Sequence, residues 1–149
     1  MKRFYDWPER LDAAVRGRLR MPFAYGQHDC CMAAADLIHA VTGVDPMKAY
    51  RGQYHSAASA VRLFHSAGHS SLVTAVDSAL TAHGAHTIQV LQASIGDLVI
   101  AQTALPDALG SDACGIAVGE RALFPSDVGW ISLPVRQAHT AYRIGHQHG

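Results

Sequence analysis

Residues 23–31 read FAYGQHDCC and run straight into the apolar stretch MAAADLIHAV, which places Cys30 in the first turn of a helix. A thiol there lies in the positive end of the helix macrodipole, beside backbone N–H groups that have no partner within the helix. Both features favour the thiolate, and the same N–H groups can hold an oxyanion, so Cys30 is the candidate nucleophile of the chain. Nucleophilic cysteine chemistry also needs a base, and a histidine on a facing strand is the usual source. Cys31 lies about a hundred degrees further round the helix and reads as a packing residue. Cys114 sits in an apolar strand pattern and reads as core.

Asp29 is the expected N-cap of this helix, its carboxylate accepting from first-turn N–H groups. Cys30, Ala34, Leu37, Ile38 and Val41 then recur at helical spacing as one apolar stripe, and Gly43 closes the helix. Upstream, Asp6, Pro8 and Glu9 open a helix expected to run to about residue 19, stopped by Pro22. After VDP, expected to start a turn or short helix, residues 56–67 and 70–82 are two more helical runs ended near Gly68 and Gly84. The period then changes. HTIQVLQ, GDLVIAQ, CGIAVG, RALFP and GWISLPV read as strands, with an Ala/Pro/Asp/Gly-rich loop between Gln102 and Asp112. Helices followed by a meander of short strands predict an α+β fold with an antiparallel sheet, one domain over residues 1–149.

Lys+Arg and Asp+Glu number 12 each, so nothing in the charge balance points to nucleic acid or an anionic membrane as partner. No apolar run has spanning length, and MKRFYDWPERL lacks the apolar core of an export signal. Arg10, Arg16, Arg18 and Arg20 fall on one side of the first helix and read as a solvated face. Three cysteines, two adjacent, do not form a secreted disulfide pattern. Of the ten histidines, His65 and His69 have i, i+4 spacing, yet nothing completes a ligand set, so no metal or cofactor is expected. His146 and His148 read as a frayed tail. Trp7, Phe4, Tyr5 and Trp130 read as core or lid aromatics, or as docking surface. Gly96 and Asp97 read as turn residues that start a strand.

FAYGQHDCC resembles the aromatic–Gly to Asp-Cys-Ser-Gly opening of NlpC-type, papain-like cysteine endopeptidases, with Cys30 at the nucleophile and Cys31 at the serine. Gly96, Asp97, Leu98 and Val99 are similar to that family's Gly-Asp-Leu-Val strand. Cys114, Gly115, Ile116 and Gly119 are similar to its His-Val-Gly-Ile-x-x-Gly strand. The HDCC form is also similar to small proteins of phage and prophage tail-gene clusters. The resemblance implies a papain-like fold, N-terminal helices on a C-terminal antiparallel sheet, with Cys30 facing the strands. Its histidine position falls on Ala113, its third residue would fall near 123–125 (Leu-Phe-Pro), and Met32 replaces the glycine after the serine. His28, His86 and His139 are the residues that could supply a base instead.

The function this implies is a catalytically silent subunit of a phage-type tail tip or baseplate, a virion protein assembled in the host cytoplasm. Its partners would be other tail proteins. The alternative is an active cysteine endopeptidase or amidase acting on peptidoglycan peptides while DNA passes into the host; a weaker third is a binder that uses the vestigial cleft.

Overall fold

The computed structural model describes residues 1–103 and 112–146. Most of the 102–112 loop, and His148 of the expected frayed tail, lie outside the described residues. Among the described residues no helix is long and apolar enough to cross a membrane.

Four helices come first: α1 (Trp7–Gly17), α2 (Cys30–Thr42), α3 (Ala57–Ser66) and α4 (Leu72–Thr81). Local chemistry sets their ends. Asp29 caps α2 with a carboxylate that accepts from Met32 N, and Gly43 closes it in the left-handed conformation at φ 79°. Ser56 and Ser71 open α3 and α4 with reciprocal hydroxyl caps, through Ser59 and Thr74. The start of α1 differs from expectation. Asp6 stands at the N-cap, but its carboxylate takes Arg10 Nε at 2.7 Å instead of a backbone N–H. The helix also ends at Gly17, before Pro22 could stop it.

Six strands follow: β1 (His86–Ile88), β2 (Leu98–Gln102), β3 (Asp112–Ala117), β4 (Arg121–Ser126), β5 (Gly129–Pro134) and β6 (Ala138–Arg143). They form one antiparallel sheet in the order β1-β6-β2-β3-β4-β5. The fold is α+β, as the sequence leads one to expect. The strand after Val135 is not in the sequence reading, and it is an interior one: β6 is inserted between β1 and β2. Residues 90–92 form a 3-10 turn, which shortens the first strand to three residues.

Strand pairing places Leu98, Ile100, Cys114, Ile116 and Tyr142 on one face. That face meets the helices: Leu98 and Cys114 share a cavity wall with Ala34 and Ile38 of α2 and with Val76 and Leu80 of α4. Tyr142 Oη donates to Asp77 Oδ1 on α4 at 2.7 Å. The opposite face carries Val99, Ala101, Ala113, Gly115 and Ala141. Its apolar side chains are buried too, and Phe124 folds across this face at Gly115, where a Cβ would come within 2.6 Å of the ring. Burial on both faces also applies to α2, whose first six residues are all buried. The single apolar stripe expected of it therefore understates its place at the centre of the core.

A buried ion pair joins the ends of the chain. Asp97, fully buried before β2, accepts from Arg3 Nη2 at 3.1 Å and Ile144 N at 3.0 Å through Oδ1, and from Ser94 N at 3.0 Å through Oδ2. Arg3, 2% exposed, also donates to the carbonyls of Ile144 and Ile95 and lies over the Trp7 ring. Residues 2–4 are thereby held against His146 and the end of α2, through Arg3 N to His146 O and Phe4 N to Val41 O. The His146 backbone is paired here and not frayed. Arg10 and Arg16 do form the expected solvated face, in i, i+4 pairs with Asp6 and Asp12, whereas Arg18 reaches Asp36 and ties α1 to α2.

Removing one member of a buried pair leaves an uncompensated charge in the interior. Arg3→Met is therefore expected to cost about 3–5 kcal/mol of folding free energy in urea denaturation. Arg143 also lies 3.1 Å from Asp97, but its side chain is 37% exposed. Arg143→Met should cost roughly 1 kcal/mol or less.

Candidate functional site

The site begins in the turn before α2. Ala24 and His28 exchange backbone hydrogen bonds, and Gly26 between them takes φ 79°. A Cβ on Gly26 would lie 2.1 Å from the Tyr54 carbonyl oxygen, so only glycine permits this approach. Asp29 fastens the arrangement. Its Oδ1 accepts from Met32 N at 2.8 Å, and its Oδ2 accepts from Gly26 N at 2.9 Å and Tyr54 Oη at 2.5 Å. Burial pushes the Asp29 carboxyl up, with the neighbouring Cys30 adding to it, and the three donors pull it partly back. Burial and the Asp29 charge push the Tyr54 phenol far up, so it stays a donor.

With the helix start fixed, Cys30 and Cys31 both turn inward and meet Cys114 from β3. The three sulfurs lie within 4.8 Å of one another, all are free thiols, and none is more than 6% exposed. Contact with the thiols of Cys114 and Cys31 brings the Cys30 pKa well down against burial, with smaller help from their backbone N–H groups. Cys31 and Cys114 are pushed well up by hydrogen bonding within the trio, by burial and by the charge on Cys30.

Cys114, read from the sequence as a plain core residue, is thus the strand side chain that meets Cys30. Cys31 belongs to the same cluster. Ala113, the position that the resemblance gives to the histidine, alternates with Cys114 and points to the opposite face of β3. Leu123, in the stretch where a third residue would fall, pairs with Ile116. Among the described residues no histidine is a hydrogen-bond partner of the Cys30 sulfur. His28 is buried with its ring edge-on to Trp130, centroids 5.4 Å apart, and its Nδ1 has no hydrogen-bond partner. His139 lies on β6, separated from β3 by β2, and its ring nitrogens contact Asp112 Oδ1 and Thr140 Oγ1 at 2.8 Å each. His86 lies on β1, further out and exposed. His65 and His69 join no ligand cluster among the described residues.

The arrangement can polarise and deprotonate one thiol, exchange hydrogen bonds among three, and bind a soft ion. Among the described residues it brings no imidazole to the sulfur. Sequence spacing could place Cys30 and Cys31 at a helix start, but the register of β3 decides that Cys114 rather than its neighbours faces them.

Two outcomes test the construction of the site. Asp29→Asn puts an amide N–H₂ among groups that are themselves donors, so it should cost about 2–4 kcal/mol in chemical denaturation. Burial lowers the His28 pKa from its ordinary 6.5, Asp36 opposing and Arg18 assisting. The unfolded chain then binds the proton first as pH falls, so stability is lost below about pH 6.5. The drop in urea midpoint from pH 7 to pH 5 should be smaller in His28→Gln than in the parent; an equal drop in both rejects this assignment.

No curated protein and no solved structure matches the chain. A family model does, over residues 2–144, a span that takes in the Arg3–Asp97 pair, the Asp29 cap and all three cysteines. The chain belongs to that family, described as a domain of unknown function (DUF6950).

Proposed function

We propose that this chain is a catalytically silent relative of NlpC-type, papain-like cysteine peptidases that serves as an interaction subunit of a phage-type tail tip or baseplate. The observation that carries the silent part is the surroundings of Cys30: a nucleophile position closed to solvent, set against two thiols and, among the described residues, no imidazole. A thiol cannot replace histidine as base, because it accepts a proton only as a thiolate, a form that burial disfavours at Cys31 and Cys114, and it never becomes the cation that imidazole supplies. Loss of a triad member costs several orders of magnitude in rate. The family resemblance of the motif blocks supplies the tail context, and fold-level likeness alone would not fix it.

Exposed apolar side chains are consistent with docking to other subunits. Val128 is 87% exposed in the β4–β5 turn, and Leu19, 54% exposed, lies beside that turn, its carbonyl 2.3 Å from where a Cβ on Gly129 would sit. A subunit buries such surface against its neighbours.

The second reading, an active endopeptidase or amidase on peptidoglycan peptides, draws on the lowered Cys30 pKa alone. Two measurements separate them. Purified protein incubated with peptidoglycan stem peptides is expected to release no fragments. Iodoacetamide at pH 6 is expected to alkylate Cys30 far more slowly in the folded protein than in urea. Cleavage that disappears in Cys30→Ser, together with fast alkylation of the folded chain, would establish the peptidase instead.

A further inference from the structure

The cysteine cluster has a property that does not depend on any peptidase ancestry. Its three sulfurs converge from two elements, the first turn of α2 and the middle of β3, and all lie within 4.8 Å of one another. Each is buried and free, and the contacts that set their acidity come first from one another. We propose that Cys30, Cys31 and Cys114 form a sulfur-only site for a three-coordinate thiophilic ion of the trivalent arsenite class.

Geometry permits three-fold coordination. Bonds of about 2.3 Å to thiolate sulfur in a pyramidal centre set its corners roughly 3.5 Å apart, so sulfurs that already lie within 4.8 Å of one another have little distance to close. Softness selects thiolate-seeking ions over those that prefer oxygen. Charge then selects among them. Three thiolates carry three negative charges, so a monovalent ion leaves two in the core, a divalent ion leaves one, and a trivalent ion leaves none. A dry interior favours the neutral product. Zinc further calls for a fourth donor. The neighbouring carboxylate of Asp29 is already taken by Gly26, Met32 and Tyr54, and Tyr54 spends its hydroxyl hydrogen on Asp29. A small apolar cavity, lined by Cys31, Cys114, Ala34, Met47, Leu80 and Leu98, adjoins two of the three cysteines and gives their side chains room to rearrange.

The reaction balances without an oxidant. Arsenous acid, As(OH)₃, exchanges three As–O bonds for three As–S bonds; the three thiol protons leave on the departing hydroxides as three waters. Arsenic stays trivalent throughout.

The test is titration of the reduced, full-length protein with inorganic arsenite under argon, followed by native mass spectrometry. The expected result is one arsenic per chain with the loss of three protons, accompanied by a rise in melting temperature, since the ion binds the folded state. Cys30→Ser, Cys31→Ser and Cys114→Ser, each checked for folding by circular dichroism, should weaken binding by at least about tenfold. Equimolar zinc should not displace the arsenic. Absence of the mass increment and of any thermal shift in the parent protein overturns the proposal, even if every variant fails to fold. So does a folded Cys114→Ser variant that keeps the parent's affinity, or zinc that outcompetes arsenite. A peptidase that proved active would leave these outcomes unchanged, so the two readings fail separately.

Discussion

The carboxylate of Asp29 accepts hydrogen bonds from three separate places: the turn at Gly26, the first turn of α2 at Met32, and the segment before α3 at Tyr54. A buried carboxylate is costly unless its lone pairs are filled, so one geometry of those three segments satisfies it and displaced ones do not. That geometry fixes where α2 begins and the angle at which its first residues enter the core. A shift of one residue would rotate Cys30 and Cys31 by about a hundred degrees and take their sulfurs away from β3. Asp97 plays the corresponding part for the sheet, where Arg3, Ser94 and Ile144 supply its donors and lock the two ends of the chain together. Both residues trade desolvation for register. Such pairs specify an arrangement more than they stabilise it.

What could be read in the sequence divides along the same line between local and distant. The helix starts at Asp29, Ser56 and Ser71 and the stop at Gly43 are legible because a cap and its helix are neighbours in sequence. The Asp6 signal misleads at the level of contacts, because an arginine four residues on competes for the same carboxylate. β6 escapes because AHTAYR carries His139 and Arg143 among few apolar residues, and its interior place depends on pairing with β1 and β2. No local pattern announces such pairing. The Arg3–Asp97 pair spans 94 residues and has no sequence signature at all. In the site, the helix-borne thiols are legible and the strand-borne one is not. Alternation makes 113 and 114 point to opposite faces, and only the register with β2 decides which of them meets the helix.

The position that would activate a nucleophile has a different effect when thiols surround it. A helix N-terminus favours a negative sulfur whatever stands opposite. Opposite an imidazole, that preference yields an ion pair whose cation can later return a proton to a leaving group. Opposite Cys31 and Cys114 the contacts among the thiols lower the Cys30 pKa and raise those of its two neighbours. The cluster is therefore asymmetric: its contacts lower one pKa and raise the other two.

That asymmetry limits what can draw on all three sulfurs. A proton acceptor from solvent would have to leave two or three negative charges in a dry core, and each added charge raises the cost of the next. An agent that brings positive charge with it removes this obstacle, because each S–H bond lost is replaced by a bond to the incoming centre. The larger the charge it brings, up to three, the less remains uncompensated. The burial that closes Cys30 to solvent is thus the same condition that would favour a neutral complex on the trio, and both follow from one arrangement of α2 against β3.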